Sequence, residues 1–302
     1  MMSSSQQAIA PRVEPGSHSE ADATGRERPF FVDHANGQLY CVLYERQPSS
    51  RPAKGVVFCP PYPWEYQGCD RLFVRAARRL AAAGLDVLRF DYSSTRESTG
   101  SADPTALDTH LSDLQLATDR LRSLRPVDSV GLLGARAGAT LAAMAADRDP
   151  RVEFLILWDP IAAGKRYMTR CLRSAVASQS IAGDGSRQTS AELRSQLERG
   201  ESVELAGFVL SAKLYDDWLG IDALRHIKRR DIPCLVLETC AGQSRRDRNV
   251  AKLAQAYMDA NDNGRLAVAD EPPYWVGAPP FGVIDSRPAL ITETLSWLAD
   301  LA

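Results

Sequence analysis

The 302-residue chain has no apolar run approaching the ~20 residues that cross a bilayer. Nor does its amino end carry the apolar core of a secretory leader, so a cytoplasmic protein without a membrane span is expected. It also lacks an excess of charge of either sign. With 36 Lys and Arg against 38 Asp and Glu, the formal net charge is −2. That gives no basic surface for nucleic acid or anionic lipid, and the short runs Lys228-Arg229-Arg230 and Arg245-Arg246 read as solvated faces. Paired cysteines are missing too. Cys41, Cys59, Cys69, Cys171, Cys234 and Cys240 form no Cys-x-x-Cys motif and no His/Cys cluster at metal-ligand spacing. Free thiols, no metal and no other cofactor are expected. Histidine is scarce, with only His18, His34, His110 and His226.

What is present organises into a tail, a core and an interruption. Residues 1–28 are polar and rich in Ser, Pro, Gly and charge, with too little apolar surface to offset the entropy of ordering, so a disordered tail is expected. Phe30 to Val32 and Gln38 to Tyr44 flank Asn36-Gly37, a strong hairpin signal. Beyond the Pro/Ser linker at Gln47 to Pro52, short continuous apolar runs alternate with amphipathic stretches, as in buried parallel strands with crossover helices. The strand candidates are Gly55 to Cys59, Val87 to Phe90, Val130 to Leu133, Phe154 to Trp158, Cys234 to Leu237 and Arg265 to Ala269. Helices fit Arg71 to Ala83, Ala106 to Leu124, Ala137 to Ala146, Val250 to Ala260 and Pro288 to Leu301. The fold class is therefore α/β, a mostly parallel central sheet with helices on both faces.

The interval between Trp158 and Cys234 is too long for one βαβ crossover. Thr189 and Glu192 make a capping-box pair ahead of Leu193 and Leu197, and Val203 to Leu210 reads as extended. An inserted cap over 161–225 is expected, above the carboxyl edge of the sheet where open α/β sheets bind ligands. The core then comprises 29–160 and 226–302.

Ser129 to Met144, SVGLLGARAGATLAAM, reads as a strand, a sharp turn and a small-residue helix. Gly134 and Gly138 frame the turn, and Arg136 stands at its centre, where the G-x-S-x-G nucleophile elbow holds serine. A guanidinium stays protonated and offers donors but no nucleophilic lone pair. The turn announces an architecture and removes its chemistry.

On these residues the chain resembles the α/β-hydrolase superfamily, within it the branch of serine aminopeptidase-type and exosortase A system-associated hydrolases. The resemblance is carried by FCPPYPWEYQGCDRLFVRAARRLAAAGLDVLRFDY, the elbow GARAG, LILWDPIAAGKRYM and the terminal DSRPALITETLSWL. It implies a triad in the order nucleophile, acid, histidine, with histidine in the loop after the last strand. No histidine lies between Asp270 and Asp285, where Tyr274 and Trp275 stand instead. With serine and histidine both missing, the acyl-enzyme route has lost its nucleophile and its base.

Asp159 and Glu238 occupy the two places where such folds carry the triad acid, and Asp159, Glu238 and Glu65 are candidate counter-ions for Arg136. The elbow helix, beginning at Ala137, presents amides and a positive dipole end that with Arg136 would suit a carboxylate or phosphate. The loop Cys59 to Tyr66 corresponds to the oxyanion loop, and its Tyr62 and Trp64 are candidate pocket walls. Cys59 is a candidate replacement nucleophile if a positive field activates it. In Asp91 to Gly100, Ser94 and Arg96 stand where the resembling pattern DYxGxGxSxG has glycine, which puts a second arginine near the expected pocket mouth. Trp275 is a candidate wall on the opposite side.

Three functions follow. The first is a non-hydrolytic binder of a small carboxylate or acyl ligand, or of a pathway enzyme. The second is rewired acyl hydrolysis or transfer by Asp159, Glu238 or Cys59, with Arg136 positioning the substrate. The third is an assembly protein of a polysaccharide or natural-product pathway.

Overall fold

The computed structural model describes residues 26–35, 37–47, 52–66, 69–103, 105–182, 188–240, 247–275 and 288–301, with 178–182 as backbone only. Residues 1–25 of the expected tail, Asn36 of the hairpin signal and Arg245-Arg246 lie outside the described residues.

Strand β1 (Glu27–His34) pairs antiparallel with β2 (Gly37–Tyr44), so the chain starts with the ribbon that the flanking apolar runs indicate. β1 begins at Glu27 rather than after residue 28, because Glu27 pairs with Tyr44 and its carboxylate meets Arg78 Nε at 2.6 Å. The remaining sheet strands are β3 (Lys54–Cys59), β4 (Leu85–Phe90), β5 (Ser129–Ala135), β6 (Val152–Trp158), β9 (Cys234–Thr239) and β10 (Gly264–Ala269). Together they form an eight-stranded sheet in the order β1-β2-β4-β3-β5-β6-β9-β10, parallel from β4 onward.

Alternation within these strands loads both faces of the sheet. Val56, Phe58, Leu133, Ile156 and Leu235 pack toward helices α2 (Asp70–Ala82) and α10 (Ala289–Asp300). Their sequence neighbours Val57, Cys59, Leu132, Leu155 and Val236 pack toward α3 (Leu107–Leu124), α4 (Ala137–Arg148) and α9 (Arg248–Met258). A strand buried on both sides needs an unbroken apolar run, which is why these strands are legible as runs. The energetic weight is ordinary for a core: truncating fully buried Phe73 to Ala would cost about 3–5 kcal/mol.

The chain reverses direction along the sheet at β3: β4 lies on one side of it and β5 on the other. The crevice at this switch point lies beyond the carboxyl ends of β3 and β5, and the loops leaving those two strands meet there. One carries the short helix α1 (Pro63–Tyr66); the other is the elbow itself.

Between β6 and β9 the chain adds α5 (Gly164–Ala182), α6 (Ser190–Glu198), the hairpin β7 (Val203–Leu205) and β8 (Phe208–Leu210), α7 (Ala212–Leu219) and α8 (Ala223–His226). α6 starts on the capping box read from sequence: Thr189 Oγ1 accepts from the Glu192 amide at 3.2 Å, and Glu192 Oε2 accepts from the Thr189 amide at 2.7 Å. These elements are fastened to the core at its carboxyl edge. Trp218 Nε1 donates to the Tyr62 hydroxyl at 2.8 Å, and the Leu107 amide, first in α3, donates to Asp217 Oδ2 at 3.0 Å. Among the described residues no helix is long and apolar enough to cross a membrane.

Candidate functional site

At the end of β5 the backbone turns sharply. Arg136 takes φ 55° and ψ −121°, a left-handed conformation costly for any residue with a side chain, and its amide donates to the Trp158 carbonyl at 2.9 Å. Two glycines make the turn possible. A Cβ on Gly134 would lie 2.4 Å from the Gly138 carbonyl oxygen, and one on Gly138 would lie 2.2 Å from the Cys59 carbonyl oxygen. The elbow geometry is intact around an arginine.

The guanidinium is buried and held on the oxyanion-loop side. Arg136 Nε donates to Glu65 Oε1 at 3.0 Å, while Nη1 reaches the Asp159 carbonyl oxygen at 3.4 Å. Glu65 Oε2 accepts the Tyr167 hydroxyl at 2.7 Å, and the guanidinium carbon lies 6.0 Å from the Tyr167 ring centre. Glu65 from α1, Arg136 from the elbow and Tyr167 from α5 thus form one continuous strut. Of the three counter-ions expected from sequence, Glu65 is the partner; Asp159 offers Arg136 its backbone carbonyl, and Glu238 accepts the Asp247 amide. Burial opposes the charge on Arg136, but the Glu65 carboxylate outweighs it and holds the guanidinium above the usual arginine range. A buried pair gains little net energy, but removing one member leaves the other charge exposed to a low dielectric.

Asp159 follows β6 at φ 43° and is satisfied by neutral donors. Its Oδ1 accepts the Thr239 amide at 2.9 Å; its Oδ2 accepts the Thr239 hydroxyl and, at 2.9 Å, the Trp275 indole N–H. Burial raises the Asp159 pKa above the usual carboxylate value, against the lowering effects of Thr239, Arg136 and Trp275. Trp275 therefore stands against the acid where the resemblance puts a histidine. An indole N–H donates like an imidazole N–H, but its ring has no second nitrogen to take a proton.

A cavity of about 210 Å³ opens on this acid side, lined among others by Arg136, Asp159, Tyr167, Arg170, Glu238 and Trp275. Glu238 is buried at the end of β9, where its Oε1 accepts the Asp247 amide at 3.2 Å. Asp247 in turn caps α9 and pairs with Arg166 of α5. Among the described residues no group of three or more His, Cys, Asp or Glu side chains is arranged to hold a metal.

Several candidate residues lie elsewhere. Cys59 is fully buried in the cluster that holds Val57, Leu88 and Tyr62, and burial pushes its thiol well above the usual range, which opposes its activation as a nucleophile. Tyr62 is buried as well, its oxygen accepting Trp218 Nε1 and lying 3.1 Å from His110 Nδ1. Trp64 packs on Tyr62 at 4.9 Å between ring centres, and both border a separate space of about 20 Å³. Arg96 does not join Arg136: it pairs with Asp70 at 2.8 Å and Asp91 at 3.4 Å and lies 4.3 Å over the Tyr66 ring. Ala137 is buried at the first turn of α4, beneath the elbow. Sequence reasoning passed over Tyr167, Arg166, Arg170 and Thr239. The first three share a helix face, a spacing visible in GKRYMTR once that segment is read as helix.

No protein-family model matches the chain, and no curated protein matches it. Its likeness is to solved structures. Est1E from Butyrivibrio proteoclasticus, a structure with ferulic acid bound, aligns at TM-score 0.59 and 15% identity, over 90% of this chain and 98% of that one. A Pyrococcus furiosus esterase aligns at 0.55 and 16%, over 90% and 91%. The thioesterase domain from the curacin biosynthetic pathway aligns at 0.51 and 14%, over 92% and 99%. The chain has the α/β-hydrolase fold. At these identities the likeness speaks for the fold alone.

Proposed function

We propose that this α/β-hydrolase-fold chain is a non-hydrolytic binder that takes a small acidic or acylated molecule in the cavity at the carboxyl edge of its sheet. The observation that carries this reading is the double replacement at the reacting centre. Arg136 occupies the elbow and is tied to Glu65, while Trp275 covers the acid Asp159 with a group that can donate a proton but not accept one. Acyl transfer needs a nucleophile and a base, and neither position provides one.

Rewired chemistry finds little support. Cys59 is sealed from the cavity, and Asp159 is already engaged by three donors. An assembly role calls for an exposed apolar patch, whereas the large exposed apolar side chains among the described residues are Phe31, Val209 and Val268 on separate elements.

Two measurements on one sample test the reading. With p-nitrophenyl butyrate and a butyryl thioester, hydrolysis at the buffer rate is expected, together with a rise in thermal midpoint in the presence of the thioester or of free carboxylate. Turnover abolished by Asp159→Asn would overturn it.

A further inference from the structure

The charges around the cavity are unevenly placed. At the elbow, the positive charge of Arg136 is already matched by Glu65 and lies close enough to Asp159 to favour its carboxylate, against the burial that raises the Asp159 pKa. The elbow is therefore a neutralised centre and not the cationic seat that the sequence suggests.

The positive charge lies on α5 instead. Across Gly164–Ala182 this helix carries Lys165, Arg166, Arg170 and Arg173 and no acidic residue. Arg166 is engaged by Asp247. Arg170, one turn further along the same face, is exposed, borders the cavity and has no ion-pair or hydrogen-bond partner among the described residues. The same cavity offers apolar surface from Trp275, Pro160, Pro273 and Val250.

Resting on the reading of the chain as a binder, we propose that the ligand carries an anionic head group, a carboxylate or a phosphate, seated on Arg170, with its apolar body against Trp275. Three lines of chemistry converge. The cations of α5, a helix with no acidic residue, attract anions to its side of a cavity whose lining also includes Asp159, Glu238 and Asp247. A guanidinium without an internal carboxylate matches either head group bidentately. The cavity volume suits a body about the size of one aromatic ring. The strut Glu65–Arg136–Tyr167 fills the oxyanion side, which directs the ligand to the acid side.

Calorimetric titration of the full chain with benzoate, phenyl phosphate and benzamide tests this, with Arg170→Gln and Lys165→Gln as variants. Either anion is expected to bind about tenfold or more tightly than the amide. Arg170→Gln should weaken that anion by a similar factor without moving the thermal midpoint, and Lys165→Gln, away from the cavity lining, should change it less than about twofold. The stronger anion identifies the head group. Equal binding of benzamide, unchanged anion affinity in Arg170→Gln, or no binding of any probe overturns this proposal, while the turnover measurement above judges the non-hydrolytic reading separately.

Discussion

A guanidinium at position 136 changes what the neighbouring carboxylates do. Glu65 is the largely buried counter-ion of Arg136 and the acceptor of the Tyr167 hydroxyl. Arg136→Gln should therefore cost about 3 kcal/mol in urea unfolding, since it leaves Glu65 buried without its cation. Arg136→Ser should likewise fold with reduced stability and gain no esterase activity, because Trp275 still supplies no base. His110 gives a second residue-level prediction. The Tyr62 hydroxyl accepts from Trp218 Nε1 and lies 3.1 Å from His110 Nδ1, placed to donate to the ring of a neutral imidazole. Burial lowers its pKa to about 3. Below the unfolded value near 6.5 the unfolded chain takes up a proton that the folded one refuses. Stability from this group is thus complete above about pH 6.5 and falls with acidification until about pH 3, a loss of about 2 kcal/mol at pH 5. In His110→Asn, whose Oδ1 can still accept from Tyr62, the difference in unfolding free energy between pH 7 and pH 5 should shrink by about that amount. The lack of serine at the elbow and of histidine between Asp270 and Asp285 was plain in the sequence; the direction of Arg136 was not, because Glu65, Asp159 and Glu238 were all candidate partners in the chain order.

Among the elements, those buried on both faces were the most legible. The continuous runs at Val130 to Leu133 and Phe154 to Trp158 lie inside β5 and β6, and the elbow glycines do what their spacing implied. Gly138→Ala should be destabilising by about 1–3 kcal/mol, since the added methyl meets the Cys59 and Pro60 carbonyl oxygens at 2.2 and 2.3 Å. In the loop after β4, Ser94 and Arg96 keep the positive φ, 62° and 52°, that glycines there would favour. Ser94→Gly should then raise the unfolding free energy by about 0.5–1 kcal/mol, a gain that thermal denaturation can resolve. α5 is the longest of the helices not read from the sequence, beside the shorter α1, α7 and α8. It opens on Gly164 without a Ser, Thr or Asp cap, and its inward face of Tyr167, Met168, Cys171, Leu172 and Ala175 is interleaved with basic residues that face solvent or the cavity.

Over the whole molecule, the sheet order and the switch point at β3 bring together residues that no local pattern could connect. Glu65 follows β3, Arg136 follows β5, Asp159 follows β6, and Tyr167 and Trp275 reach the same crevice from α5 and from the loop after β10. The fold class was readable because the sheet strands and the helices that cover them carry their own signals. The site was not, because its hydrogen bonds join six separate segments, Thr239 of β9 included. What emerges is an α/β-hydrolase fold whose elbow carries an arginine ion-paired to Glu65 and whose Asp159 accepts an indole N–H from Trp275. The most direct test is the intact mass of the protein after incubation with excess p-nitrophenyl butyrate. An unchanged mass, with p-nitrophenol released at the buffer rate, is the predicted result; a butyryl adduct that disappears in Asp159→Asn would contradict the account.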